Sequence, residues 1–229
     1  MSESAAHLKL TAQTKDGDRP LAAAVGALVI AGWTGRNREA MEAHIAELEA
    51  IGIARPKTVP TFYRVAAGLL TTGAEIQVSG PHSSGEAETV ILNLGGRHYV
   101  GVGSDHTDRQ AETVGVSLSK QMCAKPVGPA VWPFDEVAGH WDELILRSWV
   151  EEDGGRSLYQ EGAVSAMRPP GELQALYGGL PEGAAMFGGT LAVHGEIRTS
   201  AAFEMELEDP VLGRCLRHRY TIVPLPVEG

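Results

Sequence analysis

The chain has 229 residues, 43% of them hydrophobic and 21% charged, which suits one substantial domain with its own core and is short for two. A net charge of −10 with no run of Lys or Arg excludes a nucleic-acid footprint. The longest apolar run, residues 21–33, falls short of the roughly 20 residues needed to span a bilayer.

Asp16 and Asp18 precede that run, which is wrong for the basic start of a signal peptide, so a buried strand is expected over residues 24–32. The two cysteines, Cys123 and Cys215, stand far apart outside any CxxC pattern. They point to a reduced, cytoplasmic setting, with Cys123 a buried inert thiol. The strand ends in the loop Gly32-Trp-Thr-Gly-Arg-Asn37. A helix over residues 38–51 follows, with Met41, Ile45 and Leu48 as its apolar stripe and Gly52 in the C′ position. On that helix His44 and Glu47 lie three apart and share one surface. They suit either a solvated surface pair or a carboxylate-oriented imidazole acting as general base.

A new segment opens at Pro60-Thr-Phe-Tyr, and residues 73–81 read as a short strand. Residues 88–94 and 97–103 read as two strands joined by a Gly95-Gly96 turn. Pairing Leu94 with Arg97 makes every opposed pair sum to 191, which sets Glu86 across from Asp105 and Glu88 across from Gly103. Glu86, Glu88 and Asp105 then share one face. Like charges that close raise one another's pKa unless a cation neutralises them. Oxygen ligands without thiolates suit a hard ion: Mg²⁺ or Mn²⁺, with Ca²⁺ as an alternative. The same pattern also describes a solvated, ion-free edge strand.

Downstream, Arg109 and Lys120 are cations able to hold a carboxylate or enolate oxygen near such a site, or to serve as ordinary surface charges. His106 adjoins Asp105, while His98 falls on the other side of the hairpin register. Trp132, Trp141 and Trp149 mark a connection. The last third alternates short strands with Gly and Pro turns, Gly188-Gly189 among them. The expected class is α+β and mostly β, not a doubly wound array.

The order of these motifs resembles the fumarylacetoacetate hydrolase superfamily, in its C-terminal-type catalytic domain. Gly35-Arg36-Asn37 followed by His44-Ile-Ala-Glu47 is similar to its opening signature. Pro60-Thr-Phe62 resembles its Pro-x-x-Phe segment, and Glu86-Ala87-Glu88 its Glu-x-Glu metal motif. Ser104-Asp105-His-Thr-Asp-Arg109-Gln110 resembles its Asn-Asp-x-Ser-Ala-Arg-Asp stretch, and Ser119-Lys120 with Pro126-Val-Gly-Pro129 is similar to its Lys-Ser and Pro-x-Gly-Pro segment. Gln160-Glu-Gly162 to Met167 and Gly188-Gly-Thr190 complete the series.

The resemblance implies a mixed β-sheet roll or barrel of the fumarylacetoacetase type, as one catalytic domain over residues 1–229. Its family-like core would run from about residue 28, with residues 1–27 an N-terminal strand and leader. It implies a homodimer and a small 2-oxo acid substrate. Glu86, Glu88 and Asp105 would hold Mg²⁺ or Mn²⁺. His44, Glu47 and Lys120 would be catalytic, and Arg109, Gln160 and Thr190 would bind substrate. The implied reaction is C–C bond hydrolysis of an acylpyruvate-like 2-oxo or 1,3-dicarbonyl acid through a metal-bound enolate. Alternatives are a decarboxylase, isomerase or hydratase on the same site, or a non-catalytic small-acid binding protein.

Overall fold

A computed structural model describes residues 5–50, 55–152 and 154–228. The side chains of Ala40, His44, Glu47, Leu48 and Ala50 are outside that description. So are residues 51 and 52, which puts the helix-ending role expected of Gly52 outside it too.

The chain opens with a hairpin of β1 (Ala6–Thr14) and β2 (Gly17–Val25). Along β1, Ala6, Leu8, Leu10 and Ala12 are buried while their neighbours face outward, the period of a strand with one covered side. The single strand expected over residues 24–32 is corrected here. The apolar run breaks at Gly26, so its first part ends β2 and its second forms β3 (Ala27–Gly32). Within the expected N-terminal strand and leader, residues 6–25 form a hairpin at one edge of a sheet. Apolar residues continue across the break because both strands bury side chains, so hydrophobicity alone carried no boundary.

Next come α1 (Arg38–Ala50), with Ile45 buried and Met41 half-buried, and β4 (Thr61–Val65). After these follow β5 (Glu75–Ser79), β6 (Ala87–Leu94) and β7 (Arg97–Ser104). The β6–β7 register pairs Leu94 with Arg97 and Glu88 with Gly103, as the sum of 191 requires. Gly95 and Gly96 take φ of 62° and 73°, the left-handed pair of a type I′ turn, whose twist matches the flanking strands.

The short helices α2 (Arg109–Glu112) and α3 (Val116–Gln121) lead to β8 (Ala130–Pro133). The remainder is β9 (Ile145–Glu152), β10 (Gly155–Ala163), α4 (Pro170–Tyr177), β11 (Ala184–Thr190), β12 (Ala202–Asp209) and β13 (Arg214–Leu225).

Among the described residues these strands build a mixed eight-stranded sheet, β2-β1-β8-β7-β6-β11-β3-β4, and a five-stranded one, β10-β9-β12-β13-β5. Ile91, Val100, Leu146, Phe203, Met205 and Leu207 fill the core between them. The other face of the larger sheet holds a second core, with Leu28, Ile30, Val90, Leu92 and Phe187. Strand β6 is therefore buried on both faces, which explains its unbroken Val-Ile-Leu run. The fold is mostly β with mixed sheets, as expected.

Candidate metal centre

The hairpin ends opposite its turn, and there the backbone N–H of Asp105 donates to the carbonyl of Glu86 at 3.0 Å, extending the register one pair beyond the strands. Glu86, Glu88 and Asp105 consequently converge, each offering a carboxylate oxygen within 4.8 Å of the other two. Glu88 and Asp105 are buried, and Glu86 is the partly open member.

Each carboxylate has a different environment. Burial, then the charges of Asp105 and Glu86, hold the Glu88 carboxyl well above the usual range, opposed by Lys120 and the Gly189 N–H. That N–H donates to Glu88 Oε2 at 2.7 Å. It comes from a bulge in β11, where the pairing with β6 shifts between Phe187 and Thr190. Glu86 lies 3.0 Å from Arg109 Nη2 and 3.6 Å from Lys120 Nζ. For Asp105, burial pushes the carboxyl upward, but Lys120 and Lys125 outweigh it and the net shift is downward.

Lys120 bonds Asp105 Oδ2 directly. Burial lowers its pKa, and the charges of Asp105 and Glu86 more than reverse that. Lys125 Nζ lies 2.9 Å from Asp105 Oδ1 and also donates to the carbonyl of His106 at 2.5 Å. Asp105 Oδ1 thus meets the Lys125 ammonium in a buried ion pair, and Oδ2 meets Lys120. Three converging carboxylates and a buried Glu88 short of positive charge fit a hard divalent cation.

Sequence reasoning missed Lys125, the fully buried lysine five residues beyond Lys120. The lone cue was a second Lys directly before Pro126. It also left His106 undecided. That imidazole is fully buried, its Nδ1 2.9 Å from Tyr220 Oη and its Nε2 2.9 Å from Ser83 Oγ. Burial, with Lys125 and Arg109 nearby, pushes its pKa down to about 3. Tyr220 Oη donates to Ser104 Oγ at 2.8 Å, so Tyr220 accepts from His106 Nδ1–H and the neutral Nδ1–H tautomer is set. Ser104 Oγ also accepts the Glu86 N–H at 3.2 Å.

The three residues expected to contact substrate, Arg109, Gln160 and Thr190, each hold protein partners. Gln160 is fully buried and its amide is spent on protein. Oε1 accepts from Ala87 N at 3.0 Å and Ser148 Oγ at 2.7 Å, and Nε2 donates to Thr190 Oγ1 and Leu191 O, both at 2.7 Å. Thr190 Oγ1 donates to the carbonyl of Ala87 at 2.8 Å. Both side chains grip the backbone between Glu86 and Glu88, leaving no free group for a ligand at Gln160. Arg109 reaches the site, but as a clamp: Nε donates to Ser84 Oγ at 2.7 Å and Nη1 to Glu112 Oε2 at 3.0 Å beside its Glu86 contact.

The side chains of His44 and Glu47 lie outside the described residues; their positions fall three apart on α1. The preceding loop is fastened by Arg36, which donates to Met167 O at 2.7 Å and pairs with both oxygens of Asp142. Cys123 is buried, its thiol pushed up to about 11 by burial, and both cysteines are free.

Solved structures share this fold at low sequence identity. A 2-keto-3-deoxy-D-arabinonate dehydratase complexed with magnesium and 2,5-dioxopentanoate is 15% identical, with a TM-score of 0.62 over 89% of this chain and 74% of that one. A yeast fumarylacetoacetate hydrolase family protein is 12% identical, with a TM-score of 0.59 over 89% and 95%. The 4-oxalocrotonate decarboxylase from Pseudomonas putida G7, complexed with calcium and acetate, is 16% identical, with a TM-score of 0.54 over 85% and 76%. The expected fumarylacetoacetate hydrolase-type fold is thus the fold found. No curated protein matches by sequence. No helix among the described residues is long and apolar enough to cross a membrane. The family model described as "Protein of unknown function (DUF2848)" matches residues 31–220, and the chain belongs to that family.

Proposed function

We propose that the chain is a divalent-metal-dependent enzyme acting on a 2-oxo or 1,3-dicarbonyl acid, and that it hydrolyses a C–C bond. The observation that carries this reading is the convergence of Glu86, Glu88 and Asp105 within 4.8 Å, two of them buried. These three residues would hold Mg²⁺ or Mn²⁺, with Ca²⁺ as the larger alternative. A divalent ion there supplies Lewis acidity toward the oxo and carboxylate oxygens of the substrate.

The remaining work falls to the chain's own side chains. Arg109 fixes the Glu86 carboxylate, and Gln160 and Thr190 fix the backbone that carries Glu86 and Glu88. Lys120 donates to the oxygen on which negative charge develops as the C–C bond breaks. His44, oriented by Glu47, takes a proton from the attacking water at an imidazole nitrogen. Glu86, the partly open carboxylate, marks the side from which a small acid enters.

A second reading keeps the site and changes the reaction to decarboxylation, dehydration or isomerisation. A dehydratase complexed with magnesium and 2,5-dioxopentanoate and a decarboxylase complexed with calcium and acetate share the fold, which supports this reading.

The test is a screen of acylpyruvates, oxaloacetate and related 2-oxo acids with added Mg²⁺ or Mn²⁺, resolving cleavage products, CO₂ and loss of water. C–C cleavage that disappears in His44→Ala supports hydrolysis, and turnover untouched by that change supports the second reading. Metal binding without turnover of any acid makes the chain a binding protein. Glu86→Ala or Asp105→Ala should abolish metal binding by calorimetry, and full retention would sink the metal assignment.

A further inference from the structure

We propose that Lys120 is the resident counter-cation of the carboxylate triad, holding the place of the divalent ion and leaving it when the ion loads. The inference rests on reading the triad as a metal centre and adds what this chain does before the metal arrives. Lys120 Nζ bonds Asp105 Oδ2 and lies 3.6 Å from Glu86 Oε2, and its charge also acts on Glu88. The ammonium therefore stands among the same carboxylates that converge within 4.8 Å. Mg²⁺ draws its oxygens to about 2.0–2.1 Å, so ion and ammonium cannot share that space, and their like charges repel steeply at contact range.

The two site lysines differ in their freedom to move. Lys125 is fully buried, fastened to the carbonyl of His106 and against Asp105 Oδ1, and stays. Lys120 sits in α3 with some solvent contact, on a flexible four-carbon stem. The Tyr63 ring centroid lies 5.8 Å from its ammonium, close enough for the face of the ring to take the displaced charge. Loading the ion would thus release Lys120 from Asp105 and present its donors to an incoming acid. Metal would bind before substrate, and Lys120 would be unavailable to substrate until it does.

The experiment titrates Mn²⁺ by calorimetry into the full chain and into Lys120→Met, with Lys120→Gln as a second neutral variant and Glu88→Gln as a control on the metal centre. Removing a competing cation should tighten Mn²⁺ binding by roughly tenfold or more, whereas removing a ligand should weaken it. Equal or weaker binding in both Lys120 variants overturns the competition and leaves the metal centre standing. Absence of Mn²⁺ binding from every form overturns both readings. A measurement that needs no variant is acylation of Lys120 by a small anhydride, followed by mass spectrometry. The rate should rise several-fold on adding Mn²⁺, and an unchanged or lower rate overturns the proposal.

Discussion

Lys125 Nζ lies 2.9 Å from Asp105 Oδ1, and neither side chain reaches solvent. Water contributes nothing to such a pair, so each charge depends on its partner and on nearby dipoles. Removing one partner leaves the other desolvated, at a cost of about 3–5 kcal/mol. Lys125→Met is therefore expected to lower the urea midpoint sharply at an unchanged slope. Lys125→Met combined with Asp105→Asn should recover most of the loss. A single variant within about 1 kcal/mol of the parent would show that Lys120 alone suffices for Asp105.

Gly189 is a second point where the site depends on one atom. Its φ of +96° suits glycine, and a Cβ there would overlap Thr34 Oγ1, itself buried in the loop after β3. Gly189→Ala should cost more than about 2 kcal/mol through backbone strain and overpacking together. It should also weaken Mn²⁺ binding, because the N–H aimed at Glu88 moves. Gly139→Ala, where a Cβ meets nothing within 4 Å, is the matched control and should stay within about 0.5 kcal/mol in the same melts.

The two glycine pairs show what the sequence could and could not reveal. Gly95-Gly96 joins two strands whose register is local, so alternation and turn chemistry were enough to place Glu88 opposite Gly103. Gly188-Gly189 looks the same in sequence, but it interrupts a strand. Its role comes from Thr34 and Glu88, more than a hundred positions away. Lys125, His106 and Tyr220 were obscure for the same reason: Lys125 meets Asp105 from 20 positions further on, and His106 meets Tyr220 only when β13 packs against the end of the β6–β7 hairpin. The ligand triad was legible because it lies within one hairpin. Its counter-charges were only partly so.

His106 should give the protein an acid limb. Its folded-state pKa of about 3 is below the ordinary imidazole value of about 6.5, so between them the unfolded chain holds a proton that the folded chain lacks. Stability should fall as pH drops through that window, by up to about 1.4 kcal/mol per unit from this group. Glu88 acts with the opposite sign. Its raised pKa favours the folded state while protonated, and that contribution is lost as pH rises through the raised value. Unfolding free energies of the parent and His106→Gln at pH 7.5 and 5 separate the two. The variant should lose less on acidification, and parallel losses would remove His106 from the account.

Tyr220→Phe probes the chain from His106 to the backbone of Glu86. The ring keeps its contact with Phe203, at 5.8 Å between centroids, while His106 Nδ1–H and Ser104 Oγ each lose a partner. An unpaired buried donor costs about 1–3 kcal/mol. Ser104 Oγ also holds the Glu86 N–H, so the same change should weaken Mn²⁺ binding several-fold while the fold persists by circular dichroism. Ser104→Ala should resemble it. Because the two variants break one shared hydrogen bond, the double variant should lose less than the sum of the singles. Strict additivity in both stability and Mn²⁺ affinity would mean that Tyr220 and Ser104 support Glu86 independently.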